Sequence, residues 1–251
     1  MMELERMMYR IIGAVTELDA PIVFKGALIT KLILAENGYT AFQRPTVDID
    51  ANWVGAPPTM DELVRIVNRS LACLNGKLYA EVIREYGDKK SAGIAIHEAA
   101  TGNRIVSMDI SIKPVVGSKV YFYEETRIKG VLVNEILADK ITVLSKQILF
   151  RRAKDLIDVY AIAHCVEVST ADIFDVFTST PDREVGAFDE FIHRHQDVEH
   201  AYERLRGIEN KPPFDQVYKY VLRFIQPFAN RDVAPYVWNS EKASWDAGEL
   251  R

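Results

Sequence analysis

The spacing of apolar residues changes near residue 132, and this change constrains the fold more than any other feature of the chain. Between residues 76 and 133, short apolar runs alternate with turn residues, which is typical of β-strands. From Asn134 onward, apolar residues recur every three or four positions and predict helices over 134–149, 152–165, 170–178, 187–206 and 213–228. We therefore predict an α/β (α+β) protein, with a mixed sheet and helices in residues 1–132 and an all-helical domain in residues 133–251.

The N-terminal domain contains a strand–helix–strand unit. The apolar run Pro21-Ile22-Val23-Phe24 predicts a buried strand, and Lys25-Gly26-Ala27 opens a helix over residues 27–36. Asn37-Gly38 is a suitable C-terminal cap for that helix. Residues 46–53 have the alternating pattern of the next strand.

Composition indicates a soluble cytoplasmic protein. The 251-residue chain has a net charge of −5, and it has no apolar run long enough to span a membrane. Its first residues lack the basic and then apolar layout of a signal peptide. Two distant cysteines favour reduced thiols over a disulfide. The negative charge argues against general coating of nucleic acid, although it allows a local basic groove.

Asp48 and Asp50 stand two residues apart on the predicted strand, so both carboxylates point to one face. Magnesium prefers hard oxygen ligands that are shared between a few carboxylates and substrate phosphates. An isolated Asp-x-Asp pair is also compatible with an ordinary solvated strand face. The residues around the pair decide between these two interpretations.

Two further residues favour a metal and phosphate site. Gly26, at a helix start, would let triphosphate oxygens approach backbone N–H groups, although it could equally serve as a simple turn. Asp109 lies on a later strand with its side chain opposite Met108 and Ile110, where it could supply a third carboxylate or be merely exposed. We predict metal binding by Asp48, Asp50 and Asp109.

The helical half carries a second set of charged residues. Lys154, Asp155 and Asp158 occupy positions i, i+1 and i+4 of one predicted helix, so an ion pair between Lys154 and Asp158 is one interpretation. In the other interpretation, Lys140 reaches a phosphate as a point charge. Asp158 would then position the Lys140 side chain or bind the nucleotide, and Asp155 could take this role in place of Asp158.

Basic residues also gather around these positions. The segment from Lys113 to Lys154 contains nine basic residues and four acidic ones. The basic residues could hold a triphosphate or an RNA backbone, or they could simply cover helix faces. Arg44, beside the Asp-x-Asp pair, could touch phosphate or form a salt bridge to a nearby acid.

Three motifs in the same order resemble the AbiEii/AbiGii nucleotidyltransferase toxins of the polymerase-β-like superfamily. Phe24-Lys25-Gly26-Ala27 with Arg44-Pro45-Thr46-Val47-Asp48-Ile49-Asp50 is similar to the first motif. Glu135-Ile136-Leu137-Ala138-Asp139-Lys140 resembles the Glu-x-x-x-x-Lys helix, and Lys154-Asp155-Leu156-Ile157-Asp158-Val159-Tyr160 resembles the Lys-Asp-Leu-Tyr-Asp-Leu signature. Ala27 departs from the family, which often has glycine, serine or threonine there, so a hydroxyl that could contact phosphate is missing.

The resemblance implies an enzyme that moves a nucleotide from a nucleoside triphosphate to an acceptor, with Mg²⁺ or Mn²⁺ as cofactor. It implies RNA, such as the tRNA acceptor end, as substrate and a cognate antitoxin as partner. Asp48, Asp50, Asp109, Lys140 and Asp158 would be catalytic. The residues expected to bind the nucleotide are Lys25, Gly26, Arg44, Lys154 and Asp155.

Two other functions remain open from the sequence. Acidic clusters with a lysine also serve metal-dependent nucleases, which shorten RNA where a transferase lengthens it. The missing hydroxyl at position 27 is also compatible with a catalytically silent nucleotide-binding protein.

Overall fold

The chain divides into two compact units in the computed structural model, which describes residues 2–41, 43–87, 91–146, 153–180 and 183–248. The first unit comprises Met1–Leu32 and Thr46–Leu132, and the second comprises Ile33–Pro45 and Val133–Arg251. The second unit thus includes the 33–45 segment, which lies within the N-terminal domain of the predicted division. Arg151, Arg152 and the helical positions 147–149 that the sequence predicts lie outside the described residues.

The first unit is a mixed seven-stranded sheet with three helices. Its sheet order is β3-β4-β5-β2-β1-β7-β6. The helices are α1 (Met2–Glu17), α2 (Gly26–Glu36), whose last turn falls in the second unit, and α3 (Met60–Ala72). The strands are β1 (Ile22–Lys25), β2 (Asp48–Trp53), β3 (Leu78–Arg84), β4 (Ser91–Glu98), β5 (Arg104–Ser111), β6 (Ser118–Tyr123) and β7 (Thr126–Val131).

Strand β2 lies between β1 and β5, antiparallel to the first and parallel to the second. Its Ile49 and Ala51 and the neighbouring Met108 and Ile110 of β5 are fully buried and build the core under the sheet. The residues between them therefore project from the opposite face, which is the face that carries the acids. The mixed sheet with its helices confirms the predicted fold class.

The second unit is mostly helical. Its helices are α4 (Val133–Leu144), α5 (Ala153–Cys165), α6 (Thr170–Ser179), α7 (Asp189–His193), α8 (His195–Glu203) and α9 (Phe214–Ala229). The single helix predicted over 187–206 is instead two, because the backbone leaves helical geometry at Arg194, with φ −104° and ψ 41°.

The chain after Asn230 forms a hairpin, β8 (Tyr236–Asn239) with β9 (Ser244–Ala247), and so adds strands to the half predicted as all-helical. Two tryptophans fix it in place. The indole of Trp238 donates to the carbonyl of Ala163 at 2.9 Å, and that of Trp245 donates to the carbonyl of Phe224 at 3.0 Å. Four-residue strands show too little alternation to be recognised in sequence.

The helices of the described residues also bear on whether this part of the chain could enter a membrane. None of them combines the length and the apolar composition that crossing a bilayer requires.

Candidate functional site

A row of five residues in register, four of them charged, runs across five strands of the first unit. Lys25 of β1 is in register with Asp50 of β2, and Asp50 is in register with Asp109 of β5. Asp109 in turn faces Gly93 of β4, and Gly93 faces Arg84 of β3. Residues in register project from the same face of a sheet. Two of the predicted metal ligands are therefore neighbours on adjacent strands.

Asp48 lies two residues before Asp50 and on the same face of β2. Its side chain is exposed, and the hydroxyl of Thr46 donates to its Oδ1 at 2.9 Å. Asp50 is half-buried. One carboxylate is thus open to solvent and held by a neighbour, while the other lies deeper beside the start of α2.

Gly26 provides the space that Asp50 occupies. A Cβ at position 26 would lie 2.3 Å from Oδ2 of Asp50 and 2.9 Å from its Cβ. The backbone of Gly26 also has φ +71°, a conformation that L side chains rarely adopt. Gly26 is therefore required both for the turn into α2 and for the position of Asp50.

We expect Gly26→Ala to destabilise the first unit by about 1–3 kcal/mol, since an alanine at positive φ is strained and its methyl group displaces Asp50. Thermal unfolding would measure the loss. Gly38→Ala is the matched control, because Gly38 has φ +69° but nothing within 4 Å of its added Cβ. A loss for Gly26→Ala no larger than that for Gly38→Ala would contradict the role of the Asp50 contact.

The donor set at Asp48 and Asp50 fits a divalent cation of the magnesium type. It offers two hard carboxylates on one strand face, and the missing Cβ at Gly26 leaves Asp50 room beside α2. Within the described ranges, no group of three His, Cys, Asp or Glu side chains is arranged to hold a metal ion. The third predicted ligand, Asp109, is engaged by Arg84, whose Nη2 donates to Asp109 Oδ1 at 2.6 Å.

Lys25 turns its ammonium toward the same face. Its Nζ donates to Oδ1 of Asn52 at 2.6 Å and lies 3.4 Å from Oγ of Ser111. Asn52 follows Asp50 on the same face of β2 and is fully buried. The sequence patterns did not indicate Asn52, Ser111 or Arg84, although the same two-residue periodicity would have placed Asn52 beside the aspartates.

The second predicted set of residues meets within the second unit. Lys140 of α4 donates to Oδ2 of Asp158 at 2.5 Å and to Oδ1 of Asp155 at 3.2 Å. Arg44 also donates to Asp158, from Nε to Oδ1 at 3.1 Å and from Nη2 to Oδ2 at 3.2 Å. Asp158 therefore lies between two cations. The sequence left Arg44 either a phosphate contact or a salt bridge to an acid, and the structure contains the salt bridge.

This network is buried, with the side chains of Lys140 and Asp158 each only 7% exposed. Burial alone would raise the pKa of Asp158, but the charges and hydrogen bonds of Lys140 and Arg44 lower it overall. Burial opposes the charge of Lys140 as well, yet Asp158 and Asp155 raise its pKa. Both residues are therefore charged at neutral pH. Lys154, half-exposed on the first turn of α5, stands outside these contacts.

A second buried ion-pair group fixes α4. Arg183 donates to Glu135 at 3.1 Å and to Asp139 at 2.8 Å, and both Arg183 and Glu135 are almost completely buried. Glu135 opens the Glu-x-x-x-x-Lys motif, so the motif's acid is held by an arginine and its lysine by two aspartates. The partner Arg183 is distant in sequence, and only the i, i+4 spacing of Glu135 and Asp139 hints at a shared cation.

A family model described as "Nucleotidyl transferase AbiEii toxin, Type IV TA system" matches residues 7–220. This match confirms the resemblance that the three motifs carry. The comparison with curated proteins found no match.

Three solved structures are similar at low sequence identity. MenT4, a nucleotidyltransferase toxin from Mycobacterium tuberculosis H37Rv, is 13% identical with a TM-score of 0.47, covering 86% of each chain. An antigenic nucleotidyltransferase-like protein from Paracoccidioides brasiliensis is 12% identical with a TM-score of 0.45, covering 80% of this chain and 92% of its own. The antibiotic-resistance factor ANT(2'')-Ia is 12% identical with a TM-score of 0.41, covering 79% and 96%.

Proposed function

Because the chain belongs to the AbiEii family of nucleotidyltransferase toxins of type IV toxin–antitoxin systems, we propose that it transfers a nucleotide from a nucleoside triphosphate to an acceptor hydroxyl. The observation that carries this proposal is the Asp48–Asp50 pair on one face of β2, with Gly26 shaped to admit Asp50. The reaction needs carboxylates that bind divalent cations beside the bound triphosphate. The Asp48–Asp50 pair provides these carboxylates next to the start of α2, where the helix dipole favours an anion.

Asp48 and Asp50 would hold Mg²⁺ or Mn²⁺, which supplies charge neutralisation of the phosphates and a lowered pKa of the acceptor hydroxyl. The backbone N–H groups at the start of α2 would receive the triphosphate, since the first turn of a helix has unpaired donors and a positive dipole end. Lys25, on the neighbouring strand, adds a positive charge to the same face.

The chemical step is an in-line displacement. The acceptor oxygen attacks the α-phosphorus, and the bond from that phosphorus to the bridging oxygen breaks, so pyrophosphate leaves with the electron pair. The hydroxyl proton passes to a carboxylate of the Asp48–Asp50 pair.

We assign nucleotide binding in the second unit to Lys140 and Asp158, together with Arg44, Lys154 and Asp155. The buried ion pairs give this role a physical consequence. Lys140 already has two carboxylate partners, so contact with a phosphate requires it to exchange one of them. Asp158 keeps Arg44 as a second cation during such an exchange.

RNA, including a tRNA acceptor end, is the proposed acceptor, and a cognate antitoxin is the proposed partner in the cytoplasm. The family's description as the toxin of a type IV toxin–antitoxin system supports the antitoxin partner. The basic residues between Lys113 and Lys154 support the RNA acceptor.

Incubation with RNA and each nucleoside triphosphate in the presence of Mg²⁺ tests this function. We expect the RNA to lengthen by one or more nucleotides and to remain intact without a triphosphate. Shortening of the RNA would instead identify a nuclease, and an unchanged length on every RNA and triphosphate would favour a silent nucleotide-binding protein.

A further inference from the structure

Arg84 reaches the acidic face of the sheet only because strand β3 is irregular. Val82 pairs with Ile94 and Arg84 pairs with Gly93, so Ile83 is an extra residue between them. In a regular strand Ile83 would oppose Gly93 and point toward the acids. The bulge leaves Ile83 beside Gly93 and brings Arg84 to the same face, which is how bulges redirect side chains at the edges of sites.

Gly93 keeps the path between Arg84 and Asp109 open. A Cβ at position 93 would lie 3.3 Å from the Cβ of Arg84, 3.3 Å from Cγ1 of Ile83 and 3.5 Å from Oδ1 of Asp109. Across this gap Nη2 of Arg84 donates to Asp109 Oδ1 at 2.6 Å and lies 3.3 Å from Oγ of Ser91. The bulge and the glycine together aim one guanidinium at one carboxylate.

The neighbour of Asp109 explains why it needs a counter-ion. Asp50 and Asp109 are in register on adjacent strands, where like charges repel. A cation beside either carboxylate reduces that repulsion, whether it is a guanidinium or a metal ion.

We propose that Arg84 is the counter-ion of Asp109 in the metal-free protein and that it competes with a divalent cation for this carboxylate. The inference rests on the proposed metal site at Asp48 and Asp50. Arg84 is then a positioning residue that sets how much cation the enzyme needs, and release from Asp109 leaves its guanidinium available to a phosphate.

The strength of the pair suits an exchange. The side chains of Arg84 and Asp109 are 48% and 41% exposed, and exposed ion pairs contribute about 0.2–1 kcal/mol. Competition of that size changes the dissociation constant of the divalent cation by about 1.4-fold to 5-fold. The pair is strong enough to be measured and weak enough to be displaced.

The test is Mn²⁺ binding to the full-length protein without substrate, followed by electron paramagnetic resonance of the free ion. We expect Arg84→Met to bind Mn²⁺ about 1.4-fold to 5-fold more tightly than the unaltered protein. Arg69→Met is the matched control, since it removes the same charge from an exposed position on α3. It should shift the affinity by much less. Adding Asp109→Asn to Arg84→Met should abolish the gain, and thermal unfolding confirms that each variant is folded.

Equal affinity in the unaltered protein and Arg84→Met would overturn the inference while leaving the proposed function intact. Weaker binding by Arg84→Met would also overturn it, because Arg84 would then support the cation rather than compete with it. Absence of Mn²⁺ binding in both proteins would overturn the inference and the metal requirement of the proposed function together.

Discussion

Asp50→Asn should lower the rate of nucleotidyl transfer by about two to three orders of magnitude, the loss that follows removal of one preorganised electrostatic group. The amide has nearly the shape of the carboxylate, so it fits the space that Gly26 leaves. What it loses is the negative charge that gathers a divalent cation. We expect the loss in kcat, because this charge acts on the reacting phosphate in the transition state.

Asp61→Asn is the matched control for this variant. Asp61 is an exposed acid in the first turn of α3, and its loss removes the same charge from the same unit. It should leave kcat within about twofold, as surface substitutions away from a site have small effects. If Asp50→Asn kept more than a fifth of the activity while remaining folded, Asp50 would not belong to the catalytic centre.

Lys140→Met should destabilise the second unit by about 3–5 kcal/mol, the cost of removing one partner from a buried ion pair. The substitution leaves the buried carboxylates of Asp155 and Asp158 without the ammonium that contacts both of them, while Arg44 still contacts Asp158. Urea unfolding followed by tryptophan fluorescence measures the change, because Trp238 and Trp245 lie in this unit.

The matched control is Lys219→Met, which breaks an exposed i, i+4 pair with Asp215 and should cost less than about 1 kcal/mol. A similar small loss for Lys140→Met would show that the network contributes little to folding. The loss of activity expected of that variant would then be a direct effect on nucleotide binding.

The effect of Lys140→Met should also depend on pH. The pKa of Asp158 is lowered from its ordinary 3.8, so its stabilising effect is present above that value and is lost as the pH falls through the lower folded pKa. The pKa of Lys140 is raised from 10.5, so its contribution is complete below that value and is lost only as the pH rises through the folded pKa. The difference between the two proteins should therefore be constant near neutrality and shrink below about pH 4.

The strand–glycine–helix–strand unit was predictable because its signals are local. An apolar run, a glycine at the turn and alternation over residues 46–53 locate β1, α2 and β2, and the same alternation puts Asp48 and Asp50 on one face. The family motifs add the order in which these segments occur. The helices of the second unit were predictable as well, because the periodicity of apolar residues is also a local signal.

The partners of the charged residues were not predictable, because they depend on contacts between distant segments. Arg44 and Asp158 are 114 positions apart, whereas the local i, i+4 spacing indicated Lys154 as a partner of Asp158. Arg84 reaches Asp109 only through a bulge, and a bulge shifts the alternation from which side-chain direction is inferred. The pairing of β2 with β5 brings Asp109 to Asp50 across two intervening strands of the chain.

The Asp48–Asp50 face is proposed to support transfer of a nucleotide, and labelled triphosphates show which phosphate, if any, reaches the RNA. Total RNA is incubated with each of the four triphosphates, labelled once at the α-phosphate and once at the γ-phosphate, using the unaltered protein and Asp50→Asn. We predict that α-label enters RNA from at least one triphosphate, that γ-label never does, and that Asp50→Asn slows the transfer by about two to three orders of magnitude. Incorporation of γ-label, or α-label transfer that Asp50→Asn leaves unchanged, would contradict the proposal.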